Sequence, residues 1–114
     1  KWAEGQFKNG IKTGKWIYYY PSGKICSEID YDKGSIVKER NIVFNKNNIL
    51  DSEIIIKKDK RQCIYFHKNG KIRRTIEYSF IKKTKRWIKN GLLINYDSKG
   101  KKIDEIKYIN DEII

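Results

Sequence analysis

Along this chain apolar residues recur in pairs spaced two apart, on either side of short turn signals. The turns are Pro21-Ser22-Gly23, Lys46-Asn47-Asn48, Lys68-Asn69-Gly70 and Ser98-Lys99-Gly100. Each ends in Gly or Asn, the residues that tolerate positive φ in a tight hairpin. Ile17/Tyr19, Ile42/Phe44, Ile64/Phe66 and Ile94/Tyr96 precede them, and Ile29/Tyr31, Ile54/Ile56, Ile76/Tyr78 and Ile106/Tyr108 follow. The four units 17–31, 42–56, 64–78 and 94–108 are equal in length and align without a gap. A period of two around such a turn predicts a β-hairpin with its apolar markers on one face. Ile25, Leu50 and Ile72 extend that face, whereas Lys102 interrupts it and Ile103 follows one place late, which predicts a bulge in the fourth unit. No stretch keeps helical spacing for three turns. The expectation is an all-β protein, an elongated and twisted antiparallel meander sheet. Residues 1–114 form a single repeat domain of four hairpin units with cores 17–31, 42–56, 64–78 and 94–108. The links between units vary in length, as insertions between stacked repeats do.

Composition adds constraints. A chain of 114 residues fits one domain, and no apolar run approaches the ~18 residues of a membrane-spanning helix. Aromatic residues at 13% argue against a disordered basic tail, despite a formal net charge of +12. The chain opens Lys1-Trp2-Ala3 and holds no Met, so it reads as a processed or excised segment. Its compartment stays open between the cytoplasm and, if an upstream signal peptide was removed, export. The pattern begins in mid-repeat, with Glu4-Gly5-Gln6-Phe7 as the tail of a strand. Either the protein continues upstream or another chain covers a sheet edge, which allows an edge-strand homo-oligomer. Cys26 and Cys63 read as free thiols rather than as a metal site or a disulfide framework.

The charge is concentrated in residues 57–89, where Lys and Arg face only Asp59 and Glu77. An anion-binding patch built from Lys57, Lys58, Arg61, Arg73, Arg74, Lys82, Lys83, Lys85 and Arg86 would neutralise phosphates of nucleic acid or an acidic membrane. Trp87, Tyr65 and Phe80 would stack or sit at an interface. The competing reading is a solvated face in a Lys- and Ile-rich composition. Trp16, Tyr18 and Tyr20 lie in the column opposite Ile17 and Tyr19. With Trp87 they are candidate contacts for a protein partner, or else plain strand residues. Catalytic residues, a metal site and a cofactor are all expected to be absent: His67 stands alone, and no nucleophile elbow, HExxH or phosphate-cradling loop is present. Glu28, Glu53 and Glu105 share a column, and pairing with Lys24, Lys71 or Lys101 accounts for them more simply than a carboxylate dyad.

The segment from Phe7 to Ile25 carries Gly10, Gly14-Lys15-Trp16, Tyr18-Tyr19 and Gly23-Lys24-Ile25. It resembles a MORN repeat, in the bacterial variant where Gly-x-x-x-Gly-Lys-Trp leads to paired tyrosines and Gly-Lys-Ile. The third unit keeps Tyr65, Phe66 and Gly70-Lys71-Ile72 and lacks the upstream glycines. The fourth keeps Gly91, Tyr96 and Gly100, and the second has Asn48 where Gly is expected. The resemblance implies a sheet scaffold that acts as a protein-interaction module, as the antitoxin or immunity partner of a bacterial toxin. It brings no catalytic residue.

Overall fold

The computed structural model describes residues 2–113. All the regular structure among them is strand: β1 (Ala3–Lys8), β2 (Ile11–Tyr19), β3 (Ile25–Asp32), β4 (Ser35–Phe44), β5 (Leu50–Lys57), β6 (Lys60–Phe66), β7 (Ile72–Ile81), β8 (Arg86–Tyr96), β9 (Lys102–Ile109) and β10 (Glu112–Ile113). They pair in chain order, each antiparallel to the next, in one ten-stranded sheet measuring 49 × 39 × 20 Å.

The links between the repeat units turn out to be hairpins too. Asn9-Gly10 and Lys33-Gly34 both hold positive φ at two successive residues, which suits the two-residue turns joining β1 to β2 and β3 to β4. The long link from Tyr78 to Ile94 extends β7 to Ile81 and starts β8 at Arg86, leaving a short turn between them.

The expectation that all apolar markers share a face is corrected. Every repeat hairpin carries the bulge expected only in the fourth. Tyr18 and Tyr19 pair with Ser27 and Ile25, and Val43 and Phe44 with Ser52 and Leu50. Tyr65 and Phe66 pair with Arg74 and Ile72, and Asn95 and Tyr96 with Asp104 and Lys102. One residue is thus inserted after each turn, at Cys26, Asp51, Arg73 and Ile103, and an insertion of one reverses the facing of everything beyond it. Ile29 therefore lies opposite Trp16, not Ile17.

The two faces that result differ. On one, the spine face, Ile54, Cys63, Ile76, Leu93 and Ile106 stand side by side on consecutive strands. Cys63, Ile76 and Leu93 are buried, with Tyr65, Tyr78 and Tyr108 packed around them. On the reverse face Ile42, Ile64 and Ile94 alternate with Glu53, Thr75 and Glu105 across the same strands.

A single layer buries little. The chain exposes 8204 Å², against about 6,600 Å² for a compact protein of its 13.6 kDa. No side chain among the described residues is fully buried, and the hydrophobic core comes down to Trp16, Ile42, Cys63, Ile76 and Leu93.

Candidate interaction surface

On the spine face each repeat sets a cation over an aromatic ring, except the second, where Ile56 replaces the tyrosine. In the first, the Lys12 ammonium lies 4.9 Å from the Trp16 ring centre, 5.6 Å from Tyr18 and 5.4 Å from Tyr31. It also donates to the Tyr18 hydroxyl at 3.1 Å, and the Tyr18 and Tyr31 hydroxyls are 3.0 Å apart. The hydrogen bond with Tyr18 raises the Lys12 pKa above its ordinary value. The hydrogen bond between the two hydroxyls lowers the Tyr18 pKa and raises that of Tyr31. Phe7 meets the Trp16 indole edge-on at 5.0 Å, and Trp16 Nε1 donates to the Gln6 carbonyl at 3.0 Å.

In the third repeat Arg61 on β6 lies opposite Tyr78 on β7. Its guanidinium carbon is 4.5 Å from the Tyr78 ring centre and 4.9 Å from that of Trp87 on β8. Trp87 is backed by Phe80 at 5.3 Å. Arg61 Nε is buried and has no hydrogen-bond acceptor. Burial raises the Tyr78 and Cys63 pKa values beside it. In the fourth repeat Lys89 lies 5.1 Å above Tyr108.

The basic residues of segment 57–89 are not brought together. Lys57, Lys58, Lys82, Lys83, Lys85 and Arg86 sit at the ends of neighbouring hairpins, along one edge of the sheet. Arg73 and Arg74 lie at the other end of β7, roughly 25–30 Å away at about 3.3 Å per residue. Arg73 stacks on Tyr65 at 5.5 Å, and Arg74 donates to Asn95, which donates in turn to Asp104. Arg61 lies inside the sheet, next to Trp87. The first group of aromatics also divides: Trp16 and Tyr18 join the Lys12 cluster, whereas Tyr20 reaches the next hairpin. Its hydroxyl donates to the Ile42 carbonyl at 2.7 Å, and its ring meets Phe44 edge-on at 6.1 Å.

Lysines expected to pair with the carboxylate column do other work. Lys24 and Lys71, equivalent in the first and third repeats, donate to the Asn48 and Lys99 carbonyls of the following turn. Glu28 and Glu53 are bridged by Arg40, at 2.8 and 2.5 Å, because its strand runs between theirs. Glu105 pairs with Lys102. His67 Nε2 lies 3.0 Å from the Tyr96 carbonyl. Among the described residues no group of three or more His, Cys, Asp or Glu could hold a metal ion.

Two stretches, residues 12–33 and 62–79, match the family model described as the MORN repeat variant. Together they cover about a third of the chain and fall on the first and third hairpins, which supports kinship with MORN-repeat proteins. No curated protein and no solved structure matches the chain.

Proposed function

We propose that the protein is a non-enzymatic interaction module that docks the spine face of its sheet against a protein partner. The observation that carries this is the single layer itself. Ile54, Ile106, Tyr65, Tyr78 and Tyr108 flank the buried spine yet stay half-open, with no second layer over them. Burial of such a row by a partner is worth about 25 cal/mol for each Å². MORN repeats, which two of the hairpins match, point the same way. The antitoxin or immunity role implied by the bacterial variant is part of the proposal, with a toxin as the partner.

The two faces supply a matched control. Ile54 and Ile55 are neighbours on β5, both half-buried, on the spine and reverse faces respectively. In capture experiments from cells that express the protein, Ile54→Asp should abolish recovery of the partner while Ile55→Asp retains it, both variants being folded by circular dichroism. Equal effects on both faces would refute the docking mode. For the antitoxin role, co-expression with the adjacent reading frame should relieve growth arrest, and the absence of a toxic product there removes that assignment.

The basic edge favours a second reading, a binder of nucleic acid or acidic lipid through Lys57, Lys58, Lys82, Lys83, Lys85 and Arg86. The turns after β5 and after β7, which carry these lysines, lie at the same end of the sheet, about two strand spacings apart. Such binding should fall steeply with salt and be lost on reversing Lys82 and Lys83. Failure to bind either anion at low salt sinks this reading.

A further inference from the structure

Arg61 is built differently from the other cations of the spine face. Arg74 has Asn95 as an acceptor and Lys12 has the Tyr18 hydroxyl. Arg61 has two rings on its guanidinium, one buried nitrogen without an acceptor, and no ion-pair partner among the described residues. A guanidinium tolerates such stacking because its faces are weakly hydrated, while its N–H edge keeps a rigid fork that matches a planar carboxylate. Nε is covered by the sheet, whereas the two terminal Nη groups are not buried in this way and have no acceptor among the described residues. They are the donors that an arriving carboxylate can meet end-on with both oxygens.

We propose that Arg61, held between Tyr78 and Trp87, is the seat for an aspartate or glutamate side chain of an acidic protein partner docking on the spine face. This rests on the docking reading above and names the chemistry of its partner. The surroundings favour a protein carboxylate over a nucleic-acid backbone. Ile56 lies beside Arg61 on β5 and the Cys63–Ile76–Leu93 spine is next along the strands, so the anion must arrive with apolar neighbours. A phosphate chain needs cations in series. The nearest cations with no carboxylate of their own on this face are Lys89, about 10 Å away across two strand steps, and Arg73 and Arg74 beside Tyr65, about 13 Å away along the strand, so none stands next to Arg61 in a series. The sheet's series of free lysines is instead at its edge. The rings also keep the guanidinium from swinging toward solvent, so the fork is ordered before the partner arrives.

The test is NMR titration of the full chain with a ten-residue polyglutamate peptide at low salt, following the Arg61 Nε–H and Trp87 Nε1–H signals. Wild type should show saturable shifts at both. Arg61→Lys, which keeps the charge and loses the fork, should weaken binding at least fivefold, and Arg61→Gln at least tenfold. Lys82→Ser with Lys83→Ser should change it less than twofold. Equal affinity of Arg61→Lys and wild type overturns the seat, as does a response confined to the edge lysines. A single-stranded oligothymidylate that binds Arg61 more tightly than the peptide overturns the assignment to a protein carboxylate. The Ile54 and Ile55 capture pair separates the two levels. A partner lost with Ile54→Asp but retained by Arg61→Gln leaves spine-face docking intact and removes the carboxylate seat.

Discussion

Replacement of Gly5 by alanine should cost far more than its position on an outer strand suggests. The Trp16 indole packs directly on the Gly5 backbone. A Cβ built there would fall within 2.5 Å of Trp16 Cγ and nearer still to Cδ2 and Cε2, all atoms of a rigid ring. The indole cannot yield alone: its Nε1 holds the Gln6 carbonyl, Phe7 abuts one edge, and the Lys12 ammonium sits over its face. Overpacking of this kind costs about 1–3 kcal/mol, and loss of the indole hydrogen bond about 0.5–1.5 kcal/mol more. The expected total is about 2–4 kcal/mol, with a ceiling at the whole contribution of β1, because the strand can peel away to relieve the clash. Gly14→Ala is the control. Gly14 has φ +69° and open space where a Cβ would go, so its cost is the left-handed backbone alone, about 1–2 kcal/mol. Urea unfolding followed by circular dichroism gives both values, and a red shift of tryptophan emission should accompany Gly5→Ala only. A Gly5→Ala loss below about 0.5 kcal/mol, or one no larger than that of Gly14→Ala, would show that Trp16 does not seat on β1.

Three further outcomes are expected. In thiol labelling, half-buried Cys26 should react first. Cys63 is buried, with its pKa raised by that burial, and should react at a rate set by opening of the sheet; equal rates for both thiols would contradict the buried spine. Arg40→Met removes one cation from two carboxylates, with side-chain exposures of 19% for Glu28 and 13% for Glu53, and should destabilise by about 1–3 kcal/mol. The loss on Glu53→Gln should be smaller in the Arg40→Met background than in wild type, and additivity of the two would rule out the bridge. The Lys12 pKa is raised in the fold, so its stabilising contact is fully present below its ordinary value of 10.5 and is lost as pH rises through the folded value. Wild type should therefore lose stability relative to Lys12→Met above about pH 10.5, and parallel curves would deny the contact.

Sequence pattern shows the strands and turns because hairpins are local: the apolar period of two and the Gly or Asn at positive φ lie within each unit. Which face each marker occupies is not legible in that pattern. A bulge consumes one residue without changing residue type, and Cys26, Asp51, Arg73 and Ile103 share no chemistry that marks them. The same locality explains the charge. Residues 57–89 are contiguous in sequence, but β7 alone runs from Ile72 to Ile81 and carries Arg73 and Lys82 to opposite ends of the sheet. Sequence neighbours in a meander diverge along a strand, while residues one or two strands apart converge across it. Arg61 and Trp87 belong to different repeats, one read as a cation for phosphate and the other as an aromatic partner contact. They become a single stacked unit because β7 places Tyr78 between their strands. The net charge of the segment is therefore a poor guide to its chemistry. A cation on an edge turn is held only by its own stem, and salt screens it. The Arg61 guanidinium, stacked on two aromatic rings inside the sheet, keeps its directionality, and with it the capacity to discriminate among anions.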